Sequence, residues 1–328
     1  MTHSPSIAVV VVNWNSGQFV GKCLQKLKDQ TLSPARVLVV DNASTDGSME
    51  GLEQRFSEWE FIRLDKNTGF ASANNLAVNQ VEDCDWIAFL NPDAFAHPDW
   101  LGNLMQAVES FPDVKMFGSH MLGHDNGLID GTGDIYHVSG VAWRRDHGMK
   151  SSKVNRESGE IFSPCAAASL ISRDAFLEVG GFDEHFYCYN EDVDLSFRLR
   201  LIGHRCIYVS GAVVEHVGSG TTSRYSDFAV YHGQRNLVWS YFRNMPGVWF
   251  WFYLPQHILF SVVALIWFAL KGKAVPVFKA RWDALKGLPR VLKLRKETQN
   301  SKTVAGEKVV DAMSKDFWVP YTQKKRLR

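Results

Sequence analysis

Residues 86–90, Trp-Ile-Ala-Phe-Leu, form an unbroken apolar run that stops at Asn91-Pro92-Asp93, and no other stretch constrains the fold as much. A short run without polar interruption reads as a strand buried on both faces, the habit of parallel sheets covered by helices. Three similar runs precede it: residues 7–12 end at Asn13, residues 37–40 end at Asp41, and residues 61–64 lead to Asn67 and Gly69. Between them Phe19, Val20, Cys23, Leu24 and Leu27, and later Ala73, Leu76 and Ala77, recur at helical spacing. A further helix is expected over residues 49–56. Another is expected to start with Pro98 in its first position and to bury Leu101, Leu104, Met105 and Val108. Alternating strands and helices with right-handed crossovers give an α/β protein with a Rossmann-like, mixed but mainly parallel sheet. Ligands of such sheets bind at the carboxyl ends of the strands. Asn13, Asp41, Asn67 and Asp93 therefore reach one edge of one sheet.

The missing motifs narrow the chemistry. No Gly-x-Gly-x-x-Gly follows the first run, and neither a Gly-x-x-x-x-Gly-Lys-Ser/Thr loop nor a Gly-x-Ser-x-Gly elbow occurs. Dinucleotide, P-loop and serine-hydrolase functions are thereby disfavoured. Residues 119–163 are rich in Gly and His and weakly patterned, which predicts long loops and short strands walling the site. Residues 166–172 read as a strand, and a short helix follows from Asp174 to Gly180-Gly181. Glu191 and Asp192 open a helix that aligns Leu195, Leu199 and Ile202 and stops at Gly203. Residues 207–209 and 213–216 read as two final short strands, and 218–223 as a mobile loop.

The formal charge of +1 hides an asymmetry, because from Lys271 onward 16 Lys and Arg face 5 Asp and Glu. An acidic body carries a basic tail. The five cysteines lack Cys-x-x-Cys spacing, which reads as reduced cytosolic thiols rather than a zinc site or disulfide framework. The first apolar run is too short and lacks the basic flank of a secretory signal. No charged residue lies between Arg243 and Lys271, and residues 248–270 are long and apolar enough to span a bilayer. Pro255-Gln256-His257 interrupts them, which suits a kinked or re-entrant interfacial element at least as well. From 271 to 296 cations alternate with Val277, Phe278, Trp282, Leu285, Leu288, Val291 and Leu294, a basic amphipathic pattern that fits anionic lipid headgroups. Nucleic-acid or calmodulin-type binding would use a similar composition, but the aromatic segment before it favours membrane over nucleic acid. Beyond Glu297 a loosely ordered polar tail is expected, with Phe317-Trp318 as a docking point.

Seven short motifs in this order resemble glycosyltransferase family 2, and within it the rhamnosyltransferase-like branch of bacterial surface-polysaccharide assembly. They are Val-Val-Asn-Trp-Asn (11–15), Val-Asp-Asn-Ala-Ser-Thr-Asp-Gly-Ser (40–48), Asn-Thr-Gly-Phe-Ala (67–71) with Asn74-Asn75, Leu-Asn-Pro-Asp-Ala (90–94), Gly-Gly-Phe-Asp-Glu (180–184), Glu-Asp-Val-Asp-Leu (191–195) and Arg235-Asn236. The resemblance covers residues 7–246 and implies an inverting enzyme of GT-A fold. It assigns residues 1–240 to a catalytic domain, with a nucleotide-sugar half over 1–118 and an acceptor half over 119–240, and 241–328 to membrane-associated helices.

The resemblance also implies roles for residues. Asp41 would bond the pyrimidine imide N–H, and the backbone from Val11 to Asn13 would line base and ribose. Asn67, Gly69 and Asn75 would lie near ribose and pyrophosphate, with Asn91 and Arg235 also on the donor side. Asp93 matches the last carboxylate of the family's Asp-x-Asp metal motif, whose first position is Asn91 here, and His216 matches its late metal-binding His. Mg2+ or Mn2+ would there neutralise the leaving diphosphate. Asp192 matches the general base, ionised at neutral pH if its pKa is the ordinary one of about 4, with Glu191 orienting the acceptor. The implied reaction moves a sugar, rhamnose for this branch, from a dTDP- or UDP-sugar to a lipid-linked or polysaccharide acceptor. Its implied place is the cytoplasmic face of a bacterial inner membrane, with residues 248–296 on the membrane surface. A nucleotide-sugar nucleotidyltransferase would share the fold but needs a cation-bearing loop after strand one, and residues 13–17 hold no cation. A non-catalytic membrane scaffold is the other alternative, and Asp93, Asp192 and His216 stand against it.

Overall fold

The computed structural model describes residues 5–218 and 226–319. The first half alternates strands and helices: β1 Ile7–Asn13, α1 Phe19–Lys28, β2 Arg36–Asp41, α2 Leu52–Arg55, β3 Glu60–Arg63, α3 Gly69–Val78 and β4 Trp86–Leu90. Then come β5 Ala94–Ala96, α4 Trp100–Ser110, β6 Met116–Gly123, β7 Ile129–Gly131, β8 Asp134–Tyr136, β9 Ala142–Arg144, β10 Gly159–Ile161, β11 Ala168–Ser172, α5 Arg173–Glu178, α6 Glu191–Leu201 and β12 Cys206–His216. Four helices end the described chain: α7 Asp227–Asn244, α8 Gly247–Phe268, α9 Ala274–Asn300 and α10 Gly306–Asp311.

The main sheet runs β10-β12-β6-β11-β4-β1-β2-β3, with β5 on β12 and β7 on β6. The four early strands are mutually parallel, and β11 joins β4 antiparallel. Both faces are buried, which explains the unbroken apolar runs. Val9, Val11, Val39 and Ala88 pack with α1 and α4, while Val10, Leu38, Val40 and Phe89 pack with α3, α5 and α6. A third core joins Phe197 and Leu201 of α6 to Tyr241, Phe250, Val309 and Val310.

Several expectations are corrected. The helix expected over 49–56 is cut to α2 because Gly51 sits in the left-handed region at φ 70°. Pro98 is not in the first helical position. Its carbonyl accepts from Thr31 N at 2.9 Å, and Asp99 holds the N-cap position of α4 while its side chain accepts from Thr31 Oγ1 at 2.9 Å. The two final strands are one, β12, with an irregularity between Val209 and Val213 that absorbs Ser210, Gly211 and Ala212. The weakly patterned region hides a long strand, β6, whose Gly118, Ser119 and His120 carry little β signal but pair with β12, Gly118 lying between β12 and β11.

Pro255 does not interrupt α8, which runs through it. The break comes later, at Lys271 and Gly272, where Gly272 takes φ 75°, open without strain to a residue lacking Cβ. The tail past Glu297 is ordered to residue 319, because Val309, Val310 and Met313 are buried in the third core. Of the loop expected over 218–223, the part beyond Gly218 lies outside the described residues.

Candidate active site

The register of β1 on β2 sets Asn13 beside Asp41. Asn13 is buried, and its side chain binds the next loop by donating to Ser44 Oγ at 3.0 Å and Ser48 Oγ at 2.9 Å and accepting from Ser16 Oγ. Asp41 accepts from Ser44 N at 3.1 Å. Asn42 ties the second strand end to the third, accepting from Thr68 N at 2.8 Å and donating to Gly69 O at 3.2 Å. Asn67 accepts from Gly69 N at 2.9 Å. Gly69 takes φ 86°, and a Cβ there would lie 2.6 Å from the Tyr187 ring and 2.7 Å from its carbonyl oxygen. Val11 is wholly buried within β1. Asn75 bonds the backbone of Phe182 in both directions, at 2.9 Å each way.

At the fourth strand end, β5 returns antiparallel to β12 and sets His216 opposite Ala94, next to Asp93. His216 Nε2 lies 3.3 Å from Asp93 Oδ1, and its Nδ1 lies 2.8 Å from Asp130 Oδ2. Arg144 donates to the same oxygen of Asp130. Burial would raise the Asp130 carboxyl, but Arg144, His147 and His216 outweigh it and hold it well below the usual carboxylate range. An ionised carboxylate only accepts, so His216 carries a proton on Nδ1 and turns Nε2 toward Asp93. Burial would lower His216, yet Asp130 and Asp93 together push it up to about 9. A carboxylate oxygen and an imidazole nitrogen meeting in a buried corner suit a divalent ion such as Mn2+ or Mg2+, which would take the place of the proton on Nε2 and find its remaining ligands in diphosphate oxygens.

The carboxylates of α6 lie close by. Ala167 O accepts from Asn91 N at 2.9 Å, and its neighbour Ala166 N donates to Asp192 Oδ2 at 3.0 Å. Asp192 Oδ1 accepts from Val193 N at 2.8 Å. Burial nonetheless raises its carboxyl above the ordinary value, a correction to the expected pKa of about 4. Glu191 is raised well above its ordinary value by burial and then by Asp192, and its Oε2 is buried with no hydrogen-bond partner among the described residues. Asp134, on β8, is pushed up to about 7 by burial and then by the charge of Asp192. Its cross-strand partner Arg144 donates to Asp130 and, at 3.2 Å, to Cys165 Sγ. One half-buried guanidinium thus stands among Asp130, Asp134 and Asp192.

Asp130, Asp134 and Arg144 were missed by reading the sequence. Their only local signal is Asp-Gly-Thr-Gly-Asp at 130–134, a loop-like string that becomes meaningful once β7 pairs with β6 and β8 with β9. Arg235 is the residue whose expected place the structure corrects. Its guanidinium donates to His185 O at 2.8 Å and Phe186 O at 3.0 Å and lies 4.3 Å over the Trp239 ring, so it braces the loop before α6. Outside this corner, His124, Asp125 and Glu215 gather within 4.8 Å, but the Lys22 ammonium 3.1 Å from His124 Nε2 already supplies a cation.

A mainly parallel sheet whose strand ends meet an Asp–His corner and a carboxylate pair in the first turn of a helix defines a GT-A type glycosyltransferase fold, and solved structures agree. S. aureus TarS 1-349 superposes with TM-score 0.58 at 17% identity, over 98% of this chain and 92% of that one. A mannosyltransferase from Pyrobaculum calidifontis, in complex with GDP-Man and Mn2+, gives TM-score 0.54 at 16% identity, over 92% and 86%. Residues 8–180 match glycosyl transferase family 2, and the chain belongs to that family. It is 27% identical over 239 residues to the N-acetylglucosaminyl-diphospho-decaprenol L-rhamnosyltransferase of Mycobacterium tuberculosis, covering 66% of this chain and 78% of the relative. It is also 27% identical over 224 residues to rhamnosyltransferase WbbL of Escherichia coli K12, covering 62% and 80%. The chain is therefore a glycosyltransferase, and it is similar to these rhamnosyltransferases.

Proposed function

We propose that this enzyme transfers a sugar, rhamnose by kinship with its relatives, from a dTDP- or UDP-sugar to a lipid-linked or polysaccharide acceptor, with inversion at the anomeric carbon. One observation carries the reading. The turn bearing Asp93 and the carboxylate of Asp192 are hydrogen-bonded to adjacent residues, Ala167 and Ala166. A donor whose diphosphate rests against Asp93 and His216 then offers its anomeric carbon near Asp192. Asp41 accepts the imide N–H of the pyrimidine, and Asn13, Asn42 and Asn67 hold the loops around it. Asp192 takes the acceptor hydroxyl proton as the hydroxyl attacks from the face opposite the diphosphate. The unpartnered Oε2 of Glu191 is available to a second acceptor hydroxyl. A divalent ion held by Asp93 and His216 would supply charge neutralisation for the leaving diphosphate. The Mycobacterium relative acts, by its name, on a diphospho-decaprenol sugar. A comparable acceptor would bring this enzyme to the cytoplasmic face of a membrane, with residues 248–296 against the lipid.

A thermal-shift series with UDP, dTDP, GDP and CDP, each with and without Mn2+ or Mg2+, tests the donor. Ligand at 100 times Kd stabilises by about 2.7 kcal/mol. A metal-dependent shift with a pyrimidine diphosphate is expected, and no shift with any of the four would leave the scaffold reading ahead. Asp192→Asn should keep that shift and lower transfer by about 10² to 10⁴-fold.

A further inference from the structure

The apolar helix α8 is long enough to cross a bilayer, at about 33 Å for its 22 residues. Its packing opposes a crossing. Phe250, His257 and Ala264, seven residues apart, are its buried residues and lie on one side of it. His257, mid-helix, lies 2.8 Å from Ser139 O through Nδ1 and stacks on Tyr241 at 4.1 Å, while Tyr241 donates its hydroxyl to Phe250 O at 2.8 Å. Inserting α8 across hydrocarbon would break these bonds and strand an imidazole and a tyrosine hydroxyl. The opposite stripe, with Trp251, Phe252, Ile258, Leu259, Val262 and Ile266, is 45–70% exposed.

After the turn at Gly272 the chain does not leave the body. Lys273 pairs with Asp227 at 2.6 Å, Arg281 donates to Gln234 O at 2.9 Å, Ala284 O accepts from Trp239 Nε1 at 3.0 Å, and Arg295 donates to Met245 O at 2.7 Å. So α9 runs alongside α7 from end to end. It leaves uncovered Val275, Phe278, Trp282, Leu285 and Leu292, one stripe at helical spacing. The cations divide by type. Arg281, Arg290 and Arg295 bind the protein, whereas Lys271, Lys279, Lys286, Lys293 and Lys296 are exposed, four of them one residue beyond an exposed apolar side chain. Apolar stripes edged by lysines complement an anionic lipid surface.

We propose that α8 and α9 lie in the plane of one leaflet of an anionic membrane, with both ends of α8 on the same side, so that the enzyme is seated on the bilayer without crossing it. The inference rests on the membrane contact proposed above and fixes its topology. Flotation of the full chain with vesicles of phosphatidylglycerol and phosphatidylcholine, against phosphatidylcholine alone, tests the contact. The anionic vesicles should capture the protein, and Lys286→Gln with Lys293→Gln should weaken capture about tenfold or more. Topology is tested with Val248→Cys and Lys271→Cys in everted membrane vesicles, labelled by a membrane-impermeant maleimide above the background of the parent protein. Both sites should label from the outside. Protection of Lys271→Cys alone would mean a spanning helix and overturn the inference while leaving membrane contact intact. Failure to float, or dimerisation that hides both stripes, would overturn both. A retained thermal shift with the nucleoside diphosphate reports on the glycosyltransferase reading separately.

Discussion

At the scale of single residues, Asp130 matters as much as the groups the motifs picked out. It bonds the far nitrogen of His216 at 2.8 Å and so orients the nitrogen that faces Asp93. Such partners of a metal-binding imidazole change metal affinity about 10- to 100-fold when altered. Asp130→Asn should weaken Mn2+ binding by that order in calorimetric titration of the UDP-saturated protein. Asp134 and Asp192 make a second testable pair. Burial raises both carboxyls, and the charge of Asp192 adds to the rise at Asp134. As the proposed base, Asp192 must be ionised to act, so kcat/KM should fall toward acid along a limb that lies above the ordinary aspartate range. Asp134→Asn removes the competing charge and should move that limb to lower pH by about one unit. The sign for stability is opposite to that of a salt-bridged carboxylate. The folded-state pKa of Asp134 exceeds the unfolded one, so the cost of ionising it is absent in acid and complete above about 7. The same variant should therefore raise Tm more at pH 8 than at pH 5.

At the scale of elements, two acidic motif residues serve the architecture. Asp194, fully buried, is paired with Arg198 at 2.8 Å and accepts from Asn244 at 2.7 Å. Asp183 accepts from Arg290 at 2.9 Å, and Arg243 bridges toward both, at 3.3 Å and 3.4 Å. The network fastens α7 and α9 to the loop and helix that carry Glu191 and Asp192. Removing one partner strands a buried charge and typically costs about 3–5 kcal/mol. Asp194→Ala should lower unfolding free energy by that order in urea. The Glu-Asp-Val-Asp string thus divides its labour. Asp192 borders the site, whereas Asp194, half a turn on, turns inward. Spacing alone does not separate them, because both are acidic residues in one first turn.

At the scale of the whole molecule, the charge asymmetry becomes geometric. Among the described residues of the basic tail, Arg281, Arg290 and Arg295 hold the last helices to the body, and Lys271, Lys279, Lys286, Lys293 and Lys296 are exposed to an external partner. Exposed charges are screened over about 10 Å at 0.1 M salt. Vesicle capture should consequently weaken as salt rises, while the apolar stripes retain part of it. Capture unaffected by salt would mean that the lysines contribute nothing to it.

The sequence by itself determined the four parallel strands, the edge to which Asn13, Asp41, Asn67 and Asp93 are delivered, and the family. These rest on local periodicity and on strand ends, which short-range pattern encodes. Tertiary structure alone decided the rest. β6 is a strand because its neighbours hydrogen-bond it on both sides, despite Gly118 and Ser119. The α8 helix runs through Pro255, with its buried stripe held against the body, and the chain turns instead at Gly272, where a left-handed backbone is open. Asp130, Arg144 and His216 are far apart in sequence and meet only through the pairing of β6 with β7 and β12. A residue's charge and size are local, but its partners, and with them its pKa and its chemistry, are set by which strands lie side by side.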